Sequence, residues 1–207
     1  MSDIKIELAN SDAMQRHCGD CQLCCRLLPV KDNEPWRRGD PLDKKSGERC
    51  RHQKFGKGCA VYATSEMPHC CKIWNCRWLV NSDTADLSRP DRSHYVIDIM
   101  PDFVTVSDNE TGATRHIQVV QIWCDPKHPH AHRDPHLRAY LERRAAEGII
   151  GIVRFNSSDA ITLLPPSMCS DNRWHEHTTG AKQKQHSIID ILQAIGENHE
   201  TQIAKPV

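Results

Sequence analysis

The sequence predicts an α+β protein: an N-terminal cysteine-rich metal-binding module, then a small β-β-α-β-β unit and a C-terminal helix. Three observations support this class. Four cysteines fall within eight residues near the N-terminus, apolar β-branched stretches follow in the second half, and helix start and stop signals frame two segments. The predicted boundaries are 1–80 for the module, 94–167 for the α+β domain and 168–207 for a polar tail with a helix over 187–196.

Composition narrows the classes of function. The 207 residues carry 27 basic and 27 acidic side chains, and this zero net charge disfavours a dedicated nucleic-acid binder. No apolar run approaches the roughly 20 residues that span a bilayer, and the N-terminus lacks the pattern of a secretory signal. We therefore expect a cytoplasmic protein that does not bind a membrane. In a reducing compartment its 11 cysteines are better suited to metal ligation or catalysis than to disulfides.

The cysteine run Cys18-Gly-Asp-Cys21-Gln-Leu-Cys24-Cys25 dominates the module. A Cys-x-x-Cys pair bends the backbone so that two thiolates face one ion. Neighbouring side chains on an extended backbone point apart, so Cys24 and Cys25 are expected to serve different ligand sets or one larger cluster. A second group follows, comprising Cys50, Cys59, Cys70, Cys71 and Cys76. The polar, proline-broken segment around these cysteines offers no apolar core that they could fill as buried thiols.

Two kinds of metal centre fit such ligands. Structural zinc takes four nitrogen or sulfur ligands in a tetrahedron. A cubane iron–sulfur cluster also takes four thiolates, and Cys-x₂-Cys-x₂-Cys is the spacing of bacterial ferredoxins. The ferredoxin pattern continues x₃-Cys-Pro, whereas Cys25 follows directly here, so that match is partial. The predicted cofactor is therefore zinc or an iron–sulfur cluster, with iron–sulfur slightly favoured.

These residues resemble the CxxCxxCC cysteine-cluster family, which is described as a zinc- or iron-chelating domain. The second half of the family pattern corresponds to Cys50, Gly58-Cys59-Ala-Val-Tyr62, Pro68-His-Cys-Cys71 and Trp74-Asn-Cys76, and the resemblance covers about residues 15–80. Met67 stands where the family has arginine, and Cys70 is additional. The resemblance implies eight metal ligands: Cys18, Cys21, Cys24, Cys25, Cys50, Cys59, Cys71 and Cys76.

The second half of the chain predicts regular structure. Apolar alternation over Tyr95 to Ile99 and Phe103 to Val106, with Pro101 between them, predicts two short strands or one bulged strand. Further strands are expected over Ile117 to Trp123, Ile149 to Phe155 and Ala160 to Leu164. Asp134-Pro135 is an N-cap followed by proline at the first helical position, and Gly148 ends that helix. A capping box at Ser187 and Asp190 predicts the last helix, whereas residues 81–93 are predicted to be a linker and residues 4–8 an edge strand.

Other groups of chemically capable residues favour plainer interpretations. The loop before the central helix holds Cys124, Asp125, His128, His130, His132 and His136. It could bind zinc, but a solvated loop is the preferred interpretation. His175 and His177 are not expected to lie on a strand, and Cys169 is predicted to be a spare structural thiol. The basic residues between the cysteine groups predict a solvated face: Arg37, Arg38, Lys44, Lys45, Arg49, Arg51, Lys54 and Lys57.

Three functional hypotheses follow. In the first, the eight cysteines hold metal structurally and the protein is an interaction module with a protein or small-molecule partner. In the second, an iron–sulfur cluster transfers electrons or activates substrate, so the protein is a redox protein or an enzyme. The third, a metal-stapled nucleic-acid binder, is disfavoured by the charge balance. The sequence leaves open whether the protein is an enzyme and which residues would be catalytic.

Overall fold

The computed structural model describes residues 16–31, 42–107, 110–179 and 193, and it mixes helices with strands. The α-helices are α1 (Leu23–Leu27), α2 (His69–Ile73), α3 (Arg77–Val80), α4 (Pro90–Ser93) and α5 (Pro135–Ala145). The first four strands are β1 (Val30–Lys31), β2 (Asp43–Lys44), β3 (Gln53–Lys54) and β4 (Gly58–Cys59). The later strands are β5 (Tyr95–Ile97), β6 (Asp102–Ser107), β7 (Thr114–Cys124), β8 (Ile150–Arg154), β9 (Ala160–Leu164) and β10 (His175–Thr179). The α+β class is thereby confirmed, but the second half has three strands on each side of α5 rather than the predicted β-β-α-β-β order, because Pro101 separates β5 from β6 and β10 adds a strand at the sheet edge.

A mixed sheet organises the second half of the chain. Its strand order is β10-β9-β8-β7-β5, and β6 pairs with the N-terminal half of the long strand β7. Strands β7 and β8 run parallel, with Ile122 opposite Val153, whereas the other pairs of this sheet are antiparallel. Helix α5 makes the crossover that this parallel pair requires.

The predicted signals for α5 are confirmed. The Asp134 Oδ1 atom accepts the backbone N–H of His136 at 2.9 Å, and Pro135 occupies the first helical position. Gly148 follows the helix with a φ of 77°, a left-handed conformation that glycine adopts without a steric penalty. The hydroxyl group of Tyr95 donates to the other Asp134 oxygen at 2.8 Å, so the cap also joins the helix to β5.

The two faces of β5 and β7 are covered by different parts of the chain. On one face, α5 packs Leu137, Tyr140 and Leu141 against the sheet side chains Ile122 and Val153. On the other face, Val96 and Trp123 pack against the cysteine segment, by which we mean residues 18–80. That contact buries Cys21, Leu23, Leu27 and Leu28. The alternation of side chains along β5 and β7 therefore links the cysteine segment to the sheet.

Two local predictions are wrong, and two others concern residues that lie outside the described part of the chain. Residues 81–93 contain a 3₁₀ turn at Ser82–Thr84 and the short helix α4 rather than an open linker. His175 to Thr179 form strand β10, because β9 offers its free edge and supplies backbone partners to a polar segment. The predicted strand over 4–8 lies outside the described residues, as does the helix over 187–196 except for helical Gln193.

Candidate metal centre

The first cysteines lie on a tight turn and the helix that follows it. The backbone N–H of Cys21 donates to the carbonyl of Cys18 at 3.0 Å, and Gly19 between them has a φ of 55°. Helix α1 then carries Cys24 and Cys25. Adjacent residues of a helix diverge by about 100° around its axis. Cys24 and Cys25 therefore lie on a helix and not on the extended backbone that was predicted, and the helix also directs their side chains apart.

The hairpin β3–β4 brings the second cysteine group to this turn. Strands β3 and β4 pair Gln53 with Cys59, and the amide of Gln53 donates to the Gln22 side chain at 2.6 Å. Gly58 has a φ of 79°, and a Cβ atom built on it would lie 2.5 Å from the Gly19 carbonyl oxygen. Glycine is therefore required at Gly58 both by its backbone conformation and by the close approach of the two turns.

Four thiols form what we call the first thiol set: Cys18, Cys21, Cys24 and Cys76. Burial and the nearby charges of Cys21, Cys76 and Cys25 together raise the pKa of the Cys18 thiol to about 12. Burial also raises the pKa of Cys76 to about 11, with Cys21 again contributing. The pKa of Cys24 is raised by its hydrogen bond with Cys25, by burial, and by the charges of Cys25, Cys18 and Cys76. These thiols are therefore near one another and share one partly buried site.

Four others form the second thiol set: Cys25, Cys50, Cys59 and Cys71. Burial raises the pKa of Cys59, and the charges of Cys25 and Cys50 add to that rise. The pKa of Cys71 is raised by its hydrogen bond with Cys70, by burial, and by charges that include Cys25 and Cys50. The backbone N–H of Cys50 donates to the Cys25 carbonyl at 3.2 Å, which fixes the second group beside α1. Cys24 therefore lies near Cys18 and Cys76, whereas Cys25 lies near Cys59 and Cys71 as well as Cys18.

Cys70 lies beside the second thiol set. Its sulfur is 3.9 Å from that of Cys71, and both residues belong to the short helix α2. Consecutive side chains of a helix point in different directions, so only one of these two is expected to face the other three thiols. The charges acting on Cys71 include those of Cys25 and Cys50, so Cys71, the position that the family resemblance implies as a ligand, lies near those two thiols.

The cysteine sulfurs are not gathered in threes. Throughout the described part of the chain, no three cysteine sulfurs lie within 4.8 Å of one another, although those of Cys70 and Cys71 are 3.9 Å apart.

Basic side chains adjoin both thiol sets. Lys44 is only 4% exposed, and its Nζ atom donates to the backbone carbonyl groups of Leu28 and Glu48. Burial lowers the pKa of Lys44, while the thiolates of Cys50 and Cys25 raise it. The pKa of Cys25 is lowered to about 7, first by its hydrogen bond with Cys24 and then, against burial, by the Lys44 charge. The buried ammonium group of Lys44 thus lies between backbone carbonyl groups and the thiols of Cys25 and Cys50.

The predicted basic face is therefore not uniform. Lys44 is buried rather than solvated, and its ammonium group donates to backbone carbonyl groups. The side chains of Lys45, Arg49, Arg51, Lys54 and Lys57 are exposed. Arg37 and Arg38 lie outside the described residues.

The histidine-rich loop before α5 does not come together as one group. Cys124 is buried in the core against α5, and burial raises its pKa to about 12. His132 is buried 3.4 Å from Glu176, and His130 and His136 are exposed. Only Asp125 and His128 converge, and they do so with His94 from the end of α4. The sequence analysis missed His94 because nothing in its local sequence places it beside that loop.

A second unexpected group contains Cys169, Asp171 and His175, whose potential ligand atoms all lie within 4.8 Å of one another. The Nε2 atom of His175 is 3.0 Å from both oxygens of Asp171, and this hydrogen bond lowers the pKa of the carboxyl group. His175 and His177 lie on the same side of β10 with ring centroids 5.9 Å apart. The prediction that Cys169 is a spare thiol stays a prediction.

The chain was compared with protein-family models, with curated proteins and with solved structures. No family model matches the chain, and neither a curated protein nor a solved structure matches it. Among the described residues, no helix has both the length and the apolar character needed to cross a membrane.

Proposed function

We propose that this protein binds metal through two four-thiolate sites, one formed by each thiol set. The observation that supports the proposal is the gathering of eight cysteines in one partly buried region, where Cys21 and Cys76 lie near Cys18, Cys50 lies near Cys59 and Cys71, and Cys25 adjoins both groups. Membership in the CxxCxxCC family, with its chelating role, is part of the same proposal. So is the arrangement of residues 1–80 as a metal-dependent module in front of the sheet formed by β5 to β10.

The donor chemistry fits zinc or an iron–sulfur cluster. Both are bound by thiolates, and the thiols here are partly buried in a segment with few apolar residues. Burial raises the pKa of most of these thiols. Without a metal ion they would therefore stay protonated and neutral near pH 7. A metal ion reverses that preference by binding the thiolate directly.

The spacing of the cysteines along the chain slightly favours an iron–sulfur cluster, because the ferredoxin-like Cys18-x-x-Cys21-x-x-Cys24 run lies in the first thiol set. When bound, such a cluster would supply electron transfer. The chain would contribute the ligands, the buried charge of Lys44 beside the second set, and a packed contact with the sheet.

Content analysis tests this proposal. Protein purified without oxygen would be assayed for iron, zinc and acid-labile sulfide, and its absorption spectrum recorded. Iron with equal sulfide and a broad visible band supports iron–sulfur centres and a redox or enzymatic role. Zinc without sulfide or colour supports the structural module, and absence of both metals contradicts the proposal.

A further inference from the structure

Three side chains outside the thiol sets converge on one point. His94 follows α4, Asp125 follows β7, and His128 lies in the turn after it. Their potential ligand atoms all lie within 4.8 Å of one another. Two imidazoles and one carboxylate are the ligands of many divalent transition-metal sites in proteins.

The backbone holds His94 in a conformation that side chains rarely adopt. Its φ of 62° and ψ of 22° are left-handed, although it is not glycine. Its N–H donates to the Pro90 carbonyl at 2.8 Å, and its own carbonyl accepts the N–H of Asp125 at 2.9 Å. These two bonds fix His94 beside Asp125, and non-glycine residues held this way concentrate at functional sites.

The carboxylate of Asp125 is buried and oriented. Asp125 is 4% exposed; one of its oxygens accepts the backbone N–H of Lys127 at 3.1 Å and the other accepts the Arg26 guanidinium group. A carboxylate offers about four lone-pair sites, so these two bonds leave others for an ion. Arg26 directly follows Cys25, which places the group beside α1.

The two imidazoles are accessible. His94 is half-buried and His128 is exposed, and within the described chain their ring nitrogens accept or donate no hydrogen bond. Their rings stack in parallel, with centroids 3.6 Å apart and planes 6° apart. Imidazole lone pairs lie in the ring plane, so an ion shared by both rings must open this stack.

We propose that His94, Asp125 and His128 bind a divalent transition-metal ion at a site distinct from the thiol sets. Three protein ligands leave at least one coordination position for water or a small anionic or polar ligand, as in catalytic rather than closed sites. The exposed side of His128 is the route by which the ion and that ligand enter. The site is independent of which metal the cysteines bind.

Calorimetric titration with zinc chloride tests this site on the full chain, after the metal already bound has been counted. His128→Ala removes one ligand, and His94→Asn removes another while keeping a residue that tolerates left-handed backbone. His130→Ala is the matched control, because His130 is exposed in the same loop but lies outside the group. Wild type and the control are expected to bind one more zinc ion than either ligand variant, or to bind it at least about tenfold more tightly.

Two results would overturn the site. One is an equal zinc count and affinity in wild type and both ligand variants, and the other is an equal loss in His130→Ala. Cobalt gives a second readout that does not rely on counting, because the paramagnetic ion broadens nearby imidazole signals in NMR spectra. The signals of His94 and His128 should broaden first; selective broadening of other histidines alone would also contradict the proposal.

Discussion

The cysteine segment and the sheet region show two different ways of ordering a chain. In the cysteine segment the helices have four or five residues and the strands two, and large apolar side chains such as Phe55 and Ile73 are exposed. In the sheet region, β7 and α5 have eleven residues each and enclose a buried apolar core. Short elements do not persist alone. We infer that the sheet region is ordered by apolar burial and the cysteine segment by its ligands.

Removal of the metal is expected to give the largest difference in order between the cysteine segment and the sheet region. Chelation is expected to abolish protection from hydrogen exchange throughout the cysteine segment, because binding energy there is folding energy, and Cys21→Ser is expected to do so around the first thiol set. Protection in β8 and α5 should persist, since neither element packs against the thiol sets. Exchange measured by mass spectrometry checks this, and equal loss in both regions would show that the sheet also depends on the metal.

Leu137→Ala is the converse experiment. Leu137 is fully buried between α5 and the sheet, and truncating such a residue costs about 2–5 kcal/mol in the free energy of unfolding. Chemical denaturation measures that loss. The metal content of the variant should be unchanged while it is folded; loss of metal at equal folded fraction would contradict independent ordering.

Gly58→Ala tests the close contact of the two turns. The left-handed backbone alone disfavours alanine by about 1–2 kcal/mol, and the clash with the Gly19 carbonyl adds to it. Gly56→Ala is the control, since Gly56 has a φ of 65° but no atom within 4 Å of an added Cβ. Thermal unfolding of the metal-bound protein should show a larger loss for Gly58→Ala. Equal losses in the two variants would show that the close approach of the Gly19 carbonyl oxygen does not restrict the residue at position 58.

Cys70 and Cys71 offer a matched pair within one helix. Cys71→Ser should reduce bound metal by about one site, whereas Cys70→Ser should leave the metal content unchanged. Elemental analysis of the two purified variants measures this. The reverse result would exchange the roles of the two residues in the second thiol set.

The smallest effect concerns acid stability of the sheet edge. Hydrogen bonds from Arg133 and Arg138, together with the His132 charge, lower the pKa of Glu176 to about 2. Its folded pKa lies below its unfolded value, so the stabilisation is present above the unfolded pKa of about 4.3 and is lost as pH falls towards 2. Glu176→Gln should flatten the decline of unfolding free energy over that range. An unchanged slope would contradict the assignment.

The sequence predicts the elements that carry their own signals. Asp134-Pro135 and the apolar spacing of Leu137, Tyr140 and Leu141 give α5 without reference to the rest of the chain. Strand β10 has no such signal, because His-Glu-His-Thr-Thr is polar and becomes a strand only through pairing with β9. Tertiary pairing of this kind is invisible in a single sequence.

The candidate sites, like the strands and helices, are predictable from the sequence only where local signals determine them. The spacing of Cys18, Cys21, Cys24 and Cys25 suffices to predict metal ligation, and the adjacency of the last two suggests separate ligand sets. Which distant cysteines join each set depends on the turns at Gly19 and Gly58, which the fold brings together. His94 is distant in sequence from Asp125, so only the pairing of β5 with β7 reveals that they are neighbours.

Native mass spectrometry under anaerobic conditions tests the central claim most directly, by counting bound metal in wild type, Cys76→Ser and Cys59→Ser. Each variant removes one ligand from a different thiol set. Two filled sites in wild type are expected, as about eight irons with equal sulfide or as two zinc ions, with half of that content in either variant. A single centre in wild type, lost completely in both variants, would contradict the division of the eight cysteines into two sets.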